Sequence, residues 1–417
     1  MNAEAVDVES IQAVHIRADK PFALNNKAFA QNRWPYYAFL REHLPVHPAK
    51  IVGMSLYVTA RYEDCLTVVK DPRFVRNRST VTGGRRFPFP LPKNLAFLAE
   101  GMITQDDPEH RRLRSLVQKA FSPKSIARLE TQLEAFAHTL IDQAIEKGTF
   151  NAQQDYALPI PTRVIADMVG IDDEQMEQFR QGLRILSSGF TGLAILRTVT
   201  WDLHRLVRFV RELVAEKRSN PGDDILTELI EAEEDGERLS EDELVSMVFL
   251  LVIAGFETTV HLISNGLLAL LRHGGEMQKL RERPELVGSA VEEMLRYCGP
   301  VHGTKMNFAT EDIELRGVVI PKASMVMPLL GSANRDERMF PDADVFDIQR
   351  DPNRHLAFSQ GNHFCLGAFL ARMETRVAFK VLLERSDELT LAIPEHELEV
   401  LNVVGWYRHA DYPVHIR

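Results

Sequence analysis

Ser240-Glu-Asp-Glu243, followed by some thirty residues without a proline, limits the fold of this chain more than any other stretch. A serine cap with a glutamate three residues later forms a capping box, each side chain satisfying the other's backbone N–H. The pattern predicts one helix running to about Arg272, with Gly274 and Gly275 ending it. At 1.5 Å per residue it is ~48 Å long, enough to cross a whole domain. Its centre, Val245–Phe256, is almost entirely apolar and is expected to be buried. A chain built on such an axle is mainly α-helical, its other helices packed around it.

The middle of that helix carries an anomaly, Ala254-Gly-Phe-Glu-Thr-Thr259. Glycine inside a helix costs about 1 kcal/mol, and threonine is a poor former as well. Thr258 is placed to bond the carbonyl of Ala254 and open the helix for a small ligand or water. Glu257, far from either end, is an expensive acid unless it handles protons. A packing defect near a solvent channel is the plainer alternative.

A second stretch, Phe358–Arg372, places Cys365 between Gly361 and Gly367 where a loop becomes a helix. From Leu366 the apolar residues Leu366, Phe369, Leu370, Met373 and Val377 recur at helical spacing. Unpaired N–H groups at a helix start stabilise an anion, so a thiolate there is a metal ligand or a nucleophile. The ordinary reading of a lone cysteine is a small buried hydrophobe. A hydrolase needs a histidine base facing the thiol, and His363 sits too close along an extended chain to do so. Cys65, Cys298 and Cys365 are widely spaced, which supports neither a disulfide framework nor a zinc knuckle.

Two helical pairs complete the set. His110 and Arg114, at i and i+4 after Pro108, share a face and can grip carboxylates, though a solvated helix face reads the same way. Glu293 and Arg296 pair at i and i+3 among apolar residues. The net charge of −10 argues against general nucleic-acid binding. The apolar run Met247–Phe256 is about half of what a ~20-residue membrane span needs, and the N-terminus has no signal-peptide pattern. A cytoplasmic protein, with no membrane attachment, is expected.

Around these motifs, residues 1–33 read as a polar surface arm and 34–417 as a single domain. Trp34–Leu44 and Tyr62–Val69 read as helices, the first begun by Pro35, and Asp107 as a helix cap before Pro108. Ser55–Thr59, Asp312–Ile320, Ser324–Pro328, Leu398–Val404 and Tyr412–Ile416 read as strands. Thr80–Lys93, rich in proline and phenylalanine, reads as an extended loop over a cavity. The class is mainly α with small β-sheets.

Together these motifs resemble the cytochrome P450 family from about Trp34 to the C-terminus. The family's F-x-x-G-x-H-x-C-x-G-x-x-L-A-R is matched by Phe358, Gly361, His363, Cys365, Gly367, Leu370, Ala371 and Arg372. A-G-x-[DE]-T-T is matched by Ala254, Gly255, Glu257, Thr258 and Thr259, E-x-x-R by Glu293 and Arg296, and H-x-x-x-R by His110 and Arg114. The resemblance implies a triangular helical domain around a buried haem b, with Cys365 as iron ligand. His110, Arg114 and His363 would grip the haem propionates, and Ala254, Phe358 and Gly367 would flank the cofactor. Glu257 and Thr258 would deliver protons, and Glu293–Arg296, joined by an arginine from 335–354, would be structural. It implies a monooxygenase of secondary metabolism that inserts one atom of dioxygen into a hydrophobic small molecule. A peroxide-driven peroxygenase and a non-catalytic haem binder are the alternatives. The chain lacks a flavin fingerprint and iron–sulfur cysteines, so electrons from NAD(P)H would arrive through a reductase and a ferredoxin or flavodoxin. Arg111, Arg112, Lys119, Arg372 and Arg376 are expected to form the docking patch of what is expected to be a monomer. Phe87, Phe89, Leu186, Phe190, Leu251, Ala254, Val301, His302, Val404 and Trp406 are expected to line the pocket. Where many bacterial members place a propionate arginine, this chain has Asn307, with Lys305 or His302 as candidate substitutes.

Overall fold

The computed structural model describes residues 16–51, 53–84, 97, 100–120, 123–171, 175, 203–234 and 236–417. The helices that frame the site are α1 (Glu109–Ala120), α2 (Pro123–Lys147), α3 (Pro159–Val169), α4 (Leu203–Ser219), α5 (Glu241–Arg272), α6 (Val287–Cys298) and α7 (Ala368–Arg385). The axle α5 ends at the residue its pattern predicts, and its capping box is complete: Ser240 Oγ accepts from Glu243 N–H and the Glu243 carboxylate from Ser240 N–H. By length and composition α5 could cross a bilayer. Here its apolar residues Val245, Val248, Val252, Phe256, Val260, Ile263 and Leu267 lie in the main core cluster, against α3, α4, α6 and α7.

Glycine sets how closely these helices approach. A Cβ on Gly266 would lie 2.7 Å from Met294 Sδ on α6 and 3.0 Å from Phe379 on α7. Only a residue without a side chain lets α5 rest on both.

The larger sheet is β1 (Phe22–Ala23), β2 (Val46–Ile51), β3 (Met54–Thr59), β4 (Phe74–Val75), β5 (Asn307–Ala309) and β6 (Met325–Pro328), in the spatial order β1-β2-β3-β6-β5-β4. β6 runs parallel to β3 and antiparallel to β5, and β5 is antiparallel to β4. Ile313–Leu315 and Val318–Ile320 form a separate hairpin, and Pro413–Ile416 sits between Leu389–Leu391 and Thr149–Asn151.

Four expectations are corrected. From Phe22 onward the N-terminal segment is not a surface arm: β1 pairs with β2, and Phe22, Leu24 and Phe29 are buried with Tyr37 and Leu56. Three apolar residues in a polar stretch sufficed to anchor it. Leu398–Val404 makes a single bridge, Val400 with His409, and then turns at Val403–Trp406. Arg78–Thr82 at the start of the proposed loop is a short helix closed by Gly83 at φ +61°; Phe87 and Phe89 lie outside the described residues. The Asp107 carboxylate bonds the side chains of Arg111 (2.8 Å) and Asn362 (3.2 Å), as a tie between two segments.

Candidate active site

Cys365 sits on a loop shaped by two close approaches. Gly361 has φ +73°, and a Cβ there would meet the Val69 carbonyl at 2.7 Å. Cys365 N–H donates to the Phe358 carbonyl at 3.0 Å, folding the loop back beneath Phe358. The helix opens slightly later than the apolar spacing suggests, at Ala368, with Gly367 as its cap residue. Phe369, expected on the buried stripe, is 57% exposed.

Two properties of Cys365 look contradictory and together locate it. The residue carries accessible surface, yet burial pushes its thiol pKa up, opposed by the Gly367 N–H and by Arg114 and Arg372. The sulfur is accessible yet has protein on most sides. A Cβ on Gly367 would touch nothing, so the backbone next to Cys365 borders open space. Ala254 is exposed near the middle of α5, between buried Val252 and Phe256.

On α5, Thr258 Oγ1 donates to the Ala254 carbonyl at 2.6 Å, as its spacing predicts, while the helix stays continuous. Glu257 is paired: Arg408 Nη1 lies 3.2 Å from its Oε1, with the Arg408 guanidinium 5.0 Å from the Trp406 ring. Sequence reasoning missed Arg408, because 151 residues separate the two charges. Glu257 is therefore reached from the C-terminal segment that also carries Trp406.

His110, Arg114 and His363 converge. The His110 and His363 rings lie 4.1 Å apart, and Arg114 Nη1 donates to the Asn362 carbonyl at 3.3 Å. Burial lowers the pKa of His110 and Arg114 and brings His363 down to about 3, with the charges of Arg76, His110 and Arg114 adding to the effect. The charge here comes from Arg114, with two imidazoles held toward their neutral forms beside the cysteine loop.

Glu293 and Arg296 are fully buried and bidentate, at 2.7 and 2.8 Å. Arg350 Nε, 3.4 Å from Glu293, is the expected third member, and Asn353 Nδ2 and Asp347 N–H also donate to the carboxylate. Arg296 in turn donates to the carbonyls of Asn334, Ala343 and Val345, so the pair fastens α6 to the segment leading into the cysteine loop. A neighbouring pair went unforeseen: Glu292 binds Arg372 at 2.6 and 2.8 Å and His355 at 3.1 Å. Burial alone would raise the Glu292 carboxyl, but Arg372 and His355 bring it down to about 2.

Two expectations about the surroundings change. His302 is buried in a packed cluster: Nδ1 lies 3.2 Å from Tyr37 Oη and 3.5 Å from Arg33, its ring stacks on Tyr407 at 5.1 Å, and a Cβ on Gly331 would strike it at 2.4 Å. So packed, it leaves little surface to face a ligand. Val404 packs on the N-terminal cluster instead. Leu251 and Ala254 lie on α5, Val301 pairs with Trp406, and Leu186 and Phe190 lie outside the described residues. The basic patch is largely neutralised, with Arg111 on Asp107, Arg112 on Glu109 and Glu243, Arg372 on Glu292 and Arg376 on Glu130.

A helical fold with one accessible thiol on a glycine-bounded loop and a threonine-bearing axle fits a haem-thiolate type of enzyme. The family model for cytochrome P450 matches residues 66–389. A cytochrome P450 of Bacillus subtilis (strain 168) is 38% identical over 369 residues, covering 88% of this chain and 90% of its own. The solved structure of PksS, from the bacillaene polyketide synthase of Bacillus subtilis 168, superposes with a TM-score of 0.89 at 35% identity, covering 95% and 99% of the two chains. P450BioI in complex with an acyl carrier protein ligated with hexadec-9Z-enoic acid gives 0.85 at 34%, covering 94% and 100%. The chain belongs to the cytochrome P450 family. It is a monooxygenase that uses haem and dioxygen on hydrophobic substrates, with electrons from a redox partner.

Proposed function

We propose that the chain binds haem b through the Cys365 thiolate and oxidises a long, apolar small molecule in the bacterial cytoplasm. The reading rests on one observation above the others: Cys365 keeps accessible surface, has the Gly367 N–H directed at its sulfur, and feels the charges of Arg114 and Arg372, with the His363 ring of the same loop packed against His110. These groups fit the cofactor, a soft anionic ligand for iron and a guanidinium with two imidazoles to donate hydrogen bonds to carboxylates. Bound haem supplies the iron at which dioxygen is activated.

The chain's own residues hold and position. Cys365 ligates the iron, its loop clamped by Phe358 and Gly361. His110, Arg114 and His363 bind the carboxylates. Thr258, tied to the Ala254 carbonyl, presents its hydroxyl on the inner side of α5. Glu257, whose Oε1 accepts from Arg408, relays a proton inward only after parting from that guanidinium, the role of an acid–base group in reach of solvent. Glu293, Arg296 and Arg350 hold the cysteine segment in place and touch no substrate. Trp406, Val301, Leu251 and Ala254 bound the substrate side, an apolar lining suited to a hydrophobic ligand. A ferredoxin or flavodoxin with its NAD(P)H-dependent reductase supplies electrons to the monomer. The neutralised arginines and exposed Phe369 favour a docking face less dependent on charge than the sequence implies.

The test is the reduced, carbon monoxide-treated spectrum of the purified protein. A red-shifted thiolate band that disappears in Cys365→Ala supports the reading, and its absence from the wild type defeats it. A Soret-shift screen with fatty acids and macrolides then identifies the substrate class. Turnover with peroxide but with no electron donor would favour the peroxygenase alternative.

A further inference from the structure

The family's propionate arginine is missing at Asn307, and the fold shows what stands in its place. Asn307 is buried in β5, its Nδ2 3.4 Å from the carbonyls of Lys305 and Val326. It is short, neutral and already engaged. His302, the other candidate, is fixed against Tyr37 and Tyr407.

The neighbouring strand supplies the charge. β4 pairs with β5 in the register Phe74↔Ala309 and Val75↔Phe308. One further step along that ladder sets Arg76 opposite Asn307, and facing residues of an antiparallel pair project on the same side. The Arg76 guanidinium donates to the Lys305 carbonyl, which ties the two cationic residues together. Asp106 anchors this corner by accepting from the N–H groups of Arg76 and Asn77 at 2.7 and 3.0 Å.

Neither cation has a carboxylate within ion-pair distance among the described residues, although most other arginines here do. Lys305 repeats the behaviour of Cys365. It carries accessible surface, yet burial brings its pKa down to about 8, with the charge of Arg76 second. Arg76 falls to about 10 by burial, against the opposing charge of Asp106, and Asp106, which accepts from Arg76 N–H, also takes His110 N–H on its carbonyl at 3.0 Å, so Arg76 stands at the His110 corner of the site. Unpaired cations surrounded by protein are costly, by several kcal/mol each, and persist where an anion arrives from outside. A guanidinium suits a carboxylate, which it can bind through two parallel hydrogen bonds.

We infer that Arg76 and Lys305 are the second anion grip of this site, binding a haem propionate from strand β4 and the head of β5 in place of an arginine at 307. The inference rests on the haem reading above and assigns two residues that the family's motifs do not mark. The arginine has moved across one rung of the sheet.

Haem transfer from the holoprotein to excess apomyoglobin, followed in the Soret region, tests it. Arg76→Gln and Lys305→Gln are each expected to lose haem about tenfold faster than wild type, and the double variant faster still. Arg76→Lys and Lys305→Arg, which keep the charge, should stay within about threefold. All five should retain the thiolate band with carbon monoxide, since Cys365 is untouched. Equal loss rates in wild type and both glutamine variants would overturn the inference, as would equal acceleration by charge-keeping and charge-removing changes, which would mark a packing role. A wild type that carries no haem at all would instead defeat the haem reading, so the two failures are distinguishable.

Discussion

Glu292→Gln tests the electrostatics beneath the cysteine loop. Glu292 sits on α6, receives two hydrogen bonds from Arg372 and lies 3.1 Å from His355. Arg372 also lies 4.6 Å over the Phe358 ring, whose carbonyl accepts from Cys365 N–H. A carboxyl lowered from 4.5 to about 2 corresponds to at most ~3 kcal/mol of native-state stabilisation. Solvent reaches 29% of its side chain, so screening reduces the expected loss in Glu292→Gln to about 2 kcal/mol at pH 7. The sign follows from the direction. A carboxyl lowered in the folded state stabilises above its unfolded pKa and ceases to do so as pH falls through the folded one. The gap between wild type and variant should therefore be constant from pH 7 to about 4.5 and shrink between about 4.5 and 2. Urea unfolding of both proteins, followed by far-ultraviolet circular dichroism at pH 7, 4.5 and 3.3, measures it. A gap below about 0.5 kcal/mol at pH 7, or one that does not narrow at pH 3.3, would refute the assignment.

Other outcomes follow from the same geometry. Glu293→Ala strands Arg296 as a buried, uncompensated charge and removes the acceptor for Asp347, Arg350 and Asn353; a loss of about 3–5 kcal/mol is expected, seen as collapse of the soluble yield or urea midpoint, and near-wild-type stability would contradict the clamp. Gly266→Ala forces a methyl against Met294 and Phe379 and should cost about 1–3 kcal/mol by overpacking, checked by thermal unfolding. Arg408→Gln releases Glu257 and should change the product formed per reducing equivalent by about threefold or more, while costing roughly 1 kcal/mol of stability; unchanged coupling beside an uncoupled Thr258→Ala would show that Arg408 does not position the acid.

Elements specified by near neighbours were legible in the sequence. The capping box, the apolar run and the absence of proline define α5 within one segment, and Glu293 with Arg296, or His110 with Arg114, needs only the helical repeat. The cysteine loop is recognisable because glycine, histidine and cysteine must stand at fixed offsets to turn the backbone beneath the sulfur. Strands two or three residues long, such as β1, β4 and β5, carry too little alternation to be seen alone; they exist because a partner strand accepts their hydrogen bonds. The placing of His302 against Tyr37 and the ion pair of Glu257 with Arg408 join residues 265 and 151 positions apart, and the burial of Phe22 and Phe29 depends on the pairing of β1 with β2 and on packing against Tyr37 and Leu56. Asn307 shows the division most clearly. The chain alone reveals that an arginine is absent there, a fact of local pattern. That Arg76 comes opposite it is decided by the pairing of β4 with β5, because register between distant strands is a property of the folded sheet and not of either segment.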